Sequence, residues 1–93
     1  MKQNNIFYVY ALISSLDNKP FYIGKGKGKR MYYHLKDYYR KEKLSKKDFQ
    51  NNCKNKKKFY KIRKILKNGG KILYRKFLFN ISEKQAFFFT KAN

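Results

Sequence analysis

Residues 21–34 read FYIGKGKGKRMYYH, from Phe21 to His34. The opening Phe21-Tyr22-Ile23-Gly24 is aromatic and β-branched, the composition of a short strand. Gly24, Gly26 and Gly28 then alternate with lysine, placing three of the chain's five glycines within five residues. Glycine lets a backbone take unusual angles and lie close against another. From about Lys29 to Tyr39 the pattern becomes helical, and Arg30 and His34, four residues apart, share one helical face. The spacing is not that of a P-loop, which needs GxxxxGK[ST], and it does not complete GxGxxG.

Working outward, Ile6–Ile13 (IFYVYALI) is an unbroken apolar, β-favouring run. It reads as a strand covered on both faces and therefore central in its sheet. Residues 14–20 (SSLDNKP) carry turn chemistry, so the first two strands form a hairpin with Pro20 confined to the start of the second. Arg40–Lys58 is polar with few apolar anchors and reads as a long loop with at most one helical turn. A second helix runs from about Lys57 to Lys67, with Phe59, Ile62, Ile65 and Leu66 as its core stripe, and Asn68-Gly69-Gly70 ends it. Lys71–Phe79 is a third strand. Ser82 and Gln85 have capping-box spacing and open a last helix at Glu83. The order β-β-α-α-β-α makes residues 1–93 one α+β domain, the size that a chain of this length supports.

The charge is lopsided. There are 25 Lys and Arg against 5 Asp and Glu, a formal net charge of +20. AT-rich coding would enrich Lys, Asn, Ile, Phe and Tyr together, but it does not explain the scarcity of acids. Such self-repulsion points to a polyanionic partner, and nucleic acid is the natural one. Lys36 to Lys76 concentrates the effect, with 17 basic residues, three acids and a balance of +14. Aromatics are scattered through this segment, so it lacks the clean apolar face of a membrane-surface helix. No apolar run reaches transmembrane length, and the N-terminal residues lack a signal peptide's apolar core. The single cysteine, Cys53, excludes a disulfide framework and a multi-Cys zinc site and reads as an incidental thiol. The expected setting is intracellular, cytoplasmic or nucleoid-associated.

Phosphodiester cleavage needs activation of water, neutralisation of phosphate charge, help for the leaving oxygen and a grip on the DNA. Tyr10 and Tyr22 come from neighbouring strands, and Lys25 follows at once. A tyrosine hydroxyl can pass a proton if a cation lowers its pKa, and Lys25 is the candidate for that. Arg30 can hold a phosphate through two parallel hydrogen bonds, and His34 can donate or accept near neutral pH. Each residue alone has a plain structural reading: strand aromatics, a basic loop, a surface histidine. Together they are more specific. Lys27, Lys29, Lys57, Lys58, Lys61 and Lys64 are the lysines best placed to bind nucleic acid.

At these residues the chain resembles the GIY-YIG nuclease family. Tyr8-Val9-Tyr10 stands where the family has Gly-Ile-Tyr, and Tyr22-Ile23-Gly24 matches its second motif intact. Arg30 and His34 match an Arg on the next helix and a His or Tyr four residues later. The short Gly-Lys connection looks like that of a subgroup. The resemblance spans about residues 6–92. It implies a three-stranded antiparallel sheet flanked by three helices, and cleavage of DNA with Mg2+ or Mn2+ to give 5′-phosphate and 3′-hydroxyl ends. It further implies Tyr22, or second to it Tyr10, as general base or its orienter, and Lys25 as its assistant. Arg30 would stabilise the phosphate, and His34 would move or position a proton.

One position departs from the family. The last helix there carries a metal-binding glutamate, and aligning Ala86-Phe87 puts Thr90 in its place. A neutral hydroxyl is a poor lone ligand for a hard divalent cation. Glu83 lies seven residues earlier, about 10 Å along a helix, and does not substitute. An inactivating change, a natural variant and a shortened C-terminus all fit this departure. Two functions follow as expectations: a metal-dependent DNA endonuclease impaired at its metal position, or a catalytically silent, basic DNA-binding module on the same fold.

Overall fold

The computed structural model describes residues 6–91. At its centre is β1 (Phe7–Ser14), paired antiparallel with β2 (Pro20–Lys27) on one side and β3 (Ile72–Ile81) on the other, so the strand order is β2-β1-β3. Tyr8 through Leu12 are all buried, as their unbroken apolar run predicts for a strand covered on both faces.

One face of the sheet meets the main core. Tyr8, Tyr10 and Leu12 cluster there with Met31, Tyr38, Phe59, Ile62 and Ile65. Arg30–Tyr32 forms a 3-10 turn, followed by α1 (Tyr33–Glu42), and α3 spans Lys56–Lys67. Phe59, Ile62 and Ile65 are buried, and Leu66 packs against them half-buried, so the expected stripe of α3 is its core face. Asn68 and Gly69 end α3, with Gly69 at φ +81 and the Gly70 amide donating to the Ile65 carbonyl at 2.8 Å. On the other face α4 (Glu83–Lys91) packs against β1 and β2, with Ala86 fully buried. Its capping box forms as expected. The Gln85 amide donates to Ser82 Oγ at 3.1 Å, and the Ser82 amide donates to Gln85 Oε1 at 3.0 Å.

Three expectations change. The stretch expected as a loop holds a fourth helix, α2 (Lys46–Asn52), which Ser45 caps by accepting from the Asp48 amide at 3.2 Å. Phe49 anchors it, its ring 4.6 Å from that of Phe59. A seven-residue helix with one apolar anchor shows no periodicity to detect. Secondly, β2 runs on through Gly24, Lys25, Gly26 and Lys27. Gly26 pairs with Tyr8 and Gly24 with Tyr10, and a Cβ on Gly24 would lie 2.6 Å from the Tyr10 hydroxyl oxygen. Gly24 therefore gives the strand room for a tyrosine on its neighbour, and of the three glycines in this segment only Gly28, at φ +59, uses glycine's conformational freedom. Thirdly, Cys53 ends α2 and is 6 % exposed within the core, so it packs as a small apolar residue. No helix among the described residues is long and apolar enough to cross a membrane.

Candidate active site

The pairing of Tyr10 with Gly24, and of Leu12 with Tyr22, sets both tyrosines on one sheet face, their ring centroids 6.4 Å apart. Tyr8 fixes the chain that follows. Its hydroxyl donates to the Gly28 carbonyl at 2.8 Å and accepts from the Met31 amide at 3.3 Å. The chain therefore turns back over the sheet immediately after β2. Arg30 and His34, one in the 3-10 turn and one in the first turn of α1, then face the tyrosines across a cleft of about 340 Å³. Its lining includes all five residues singled out for chemistry: Tyr10, Tyr22, Lys25, Arg30 and His34.

His34 is the hub. Its Nε2 is hydrogen-bonded to the Tyr10 hydroxyl, and its Nδ1 lies 3.0 Å from Lys58 Nζ. Its ring meets Tyr22 edge-on at 4.9 Å. Burial, with the neighbouring Lys58 and Arg30 charges, pushes the imidazole down to about 4 against an opposing pull from Asp37. The ring is therefore neutral at pH 7.

The expectation that Lys25 would lower a tyrosine pKa is not met. Burial raises both Tyr10 and Tyr22, and for Tyr10 the Arg30 charge opposes only part of that rise. A phenol so placed gives up its proton less readily, which favours donating a hydrogen bond over taking a proton from water. Lys25 lines the cleft but has Glu83 of α4 as an ion-pair partner at 3.5 Å.

The lysines expected to bind nucleic acid fall into three groups. Lys57, Lys58 and Lys61 line a groove with Phe21, Tyr22 and Asn55, and this groove meets the cleft at Tyr22 and Lys58. Lys27 and Lys29 lie exposed beyond it, with Lys27 Nζ 5.7 Å from the Phe7 ring centre. Lys64 is exposed on α3 and lines neither cavity. Sequence reasoning placed Lys58 among the phosphate binders. Its position inside the chemical cleft depends on how α3 meets α1, which spacing along the chain does not encode.

Thr90 sits elsewhere. It lines a separate depression with Pro20, Phe21, Tyr22 and Ile23, meeting the cleft only through Tyr22. Its hydroxyl lies 3.1 Å from both the Ala86 and Phe87 carbonyls of its own helix, which occupy it as a donor. Glu83 of the same helix is ion-paired with Lys25, and Asp37, which lines the cleft, is paired with Arg40 at 2.7 Å and Lys41 at 2.9 Å. Among the described residues no three His, Cys, Asp or Glu side chains come together to hold a metal ion. This donor set does not fit a hard divalent cation.

Compared with known proteins, the chain matches the sequence model of the LEM-3-like GIY-YIG domain over residues 11–92. The match begins just past Tyr10, so Tyr10 is tied to the site by its register opposite Gly24. No curated protein and no solved structure matches the chain.

Proposed function

The chain belongs to the LEM-3-like GIY-YIG domain family, a family of nuclease domains, and on that premise we propose that it is a DNA endonuclease domain impaired at its metal position. The observation that carries the reading is the convergence of Tyr10, Tyr22, Arg30 and His34 on one cleft. Arg30 is exposed at the cleft wall and carries a planar fork of donors suited to the two non-bridging oxygens of a phosphodiester. Neutral His34 holds the Tyr10 hydroxyl in place. Tyr22 is left as the phenol that orients the attacking water. Lys25 adds positive charge at the rim, shared with Glu83. Lys57 and Lys61 hold the strand as it leaves the cleft along the groove beside Phe21.

The family implies a divalent metal, Mg2+ or Mn2+, but the residues present do not fit one, because Thr90 stands where the carboxylate is expected. A nicking assay on supercoiled plasmid, with Mg2+ and with Mn2+, tests this. The chain as written is expected to nick weakly or not at all, and Thr90→Glu to raise nicking at least tenfold. Full activity without the substitution would overturn the impairment.

The second reading is a catalytically silent, DNA-binding module in a reducing, intracellular compartment. It is favoured by the hydroxyl of Thr90 being tied to its own helix and by the net charge of +20. Tight DNA binding with no nicking by either protein would select it.

A further inference from the structure

Lys58 was expected to meet phosphate, yet its ammonium is turned inward. The side chain is half-buried, with Nζ 3.0 Å from His34 Nδ1 and 4.9 Å from the Tyr22 ring centre. Its backbone is held as well, because Asn55 caps α3 by accepting from the Lys58 amide at 2.9 Å. The preceding Lys57 is exposed. Two residues therefore leave the same helix start in different directions.

An ammonium has three donors and no acceptor. His34 Nδ1 must accept from it, and the proton of a neutral ring must then sit on Nε2. Nε2 faces the Tyr10 oxygen. The ring is thus the donor of that bond, and Tyr10 keeps its own hydroxyl proton for another partner. A charged imidazolium would turn an N–H against the ammonium and lose the bond altogether.

We propose that Lys58 is a positioning residue that fixes His34 as its neutral Nε2–H tautomer and so makes Tyr10 a hydrogen-bond donor to a substrate oxygen. The chain of donors runs one way, from Lys58 through His34 to Tyr10 and into the cleft. Tyr10 is then a donor and not a base, and orienting the attacking water is left to Tyr22. The consequence for catalysis rests on the nuclease reading above, whereas the tautomer does not. Besides Lys58, the titratable groups that share a cavity with His34 are Tyr10 from β1, Tyr22 and Lys25 from β2, Arg30 from the 3-10 turn, Tyr33, Asp37, Tyr38 and Lys41 on its own helix, and Cys53 at the end of α2.

The chain has one histidine, so the two-bond proton–nitrogen spectrum of the 15N-labelled protein reports His34 alone. At pH 7 the wild-type ring is expected to be protonated at Nε2 and bare at Nδ1. In Lys58→Met the two tautomers mix and the titration midpoint rises from about 4 towards 6.5. Lys58→Arg keeps a charged group that only donates, so it is expected to retain both the tautomer and the low midpoint. Lys67→Met, an exposed change on the same helix, is expected to alter neither, and the backbone amide spectrum of each variant confirms folding. A wild-type ring protonated at Nδ1, or a folded Lys58→Met with unchanged tautomer and midpoint, would overturn the proposal. In a Thr90→Glu background that nicks DNA, Lys58→Met is expected to lower kcat about tenfold to a hundredfold with KM little changed. If Thr90→Glu never nicks, the nuclease reading fails while the tautomer result still decides the role of Lys58.

Discussion

His34 shows how one side chain ties stability to the site. Folded, its pKa is about 4, and in an unfolded chain it returns to 6.5. Between those values the unfolded state binds a proton that the folded state refuses, so unfolding becomes easier as pH falls. Stability is complete above about 6.5, declines towards pH 4, and is flat in this respect below that. A sealed site would lose about 3 kcal/mol across this window, and solvent access to the half-buried ring reduces the loss to roughly 1–2 kcal/mol. The check is a pair of urea titrations at pH 7.5 and 4.5 on wild type and His34→Gln. The pH-linked loss of wild type should exceed that of the variant, in which the carboxylates titrate alike; equal losses would show that the ring is not held neutral. At this scale much of the site was legible in the sequence. Tyr22-Ile23-Gly24 and the Arg30/His34 spacing name three cleft residues directly, Tyr22, Arg30 and His34, because local spacing sets which side chains share a face. The partner on the far side of His34 was not legible, since Lys58 reaches it from 24 residues away.

Among the elements, α3 places Lys58, and its first turn is set by one side chain. Asn55 Oδ1 accepts from the Lys58 amide, satisfying a donor that the helix itself leaves open. Asn55→Ala removes that bond and is expected to cost about 1 kcal/mol of stability. It should also loosen the Lys58–His34 contact, moving the His34 midpoint upward, while the neutral cap of Asn55→Ser retains both. Thermal denaturation and the His34 titration measured together decide it. Lost stability with an unmoved midpoint would mean that the cap does not hold Lys58. The elements themselves were unevenly legible. The strand Phe7–Ser14 and the stripe of α3 repeat their apolar residues often enough to declare their period. β2 extends past the Phe21–Gly24 strand that its residues predict; its second half alternates lysine with glycine, which lacks any β signature. Its pairing depends on Tyr10 of β1 filling the space that Gly24 leaves open. α2 was missed because Phe49 is its only buried residue.

For the molecule as a whole, charge is the dominant quantity. The chain carries +20, and the ion pairs among the described residues, Lys25–Glu83, Arg40–Asp37 and Lys41–Asp37, neutralise little of it. Binding to a duplex should therefore be driven by counterion release, with the logarithm of affinity falling linearly against the logarithm of salt concentration. About six phosphate contacts would lose roughly a thousandfold in affinity between 50 and 200 mM salt. The groove geometry says which lysines contribute. Lys57 and Lys61 flank the path that leaves the cleft past Phe21, whereas Lys58 is turned inward to His34. Replacing Lys57 and Lys61 together by alanine should flatten the salt slope by about two, at roughly 0.9 per contact, and weaken binding to all sequences alike. Lys58→Ala should flatten it by less than one lysine's share, and Thr90→Glu should leave it nearly unchanged because Thr90 lines a different depression. Fluorescence anisotropy with a labelled duplex, titrated at four salt concentrations, gives all these slopes. If the double variant kept the wild-type slope, the strand would not follow the groove between β2 and α3, and the orientation of DNA across the cleft would have to be drawn again from Lys27 and Lys29 at the far end of β2.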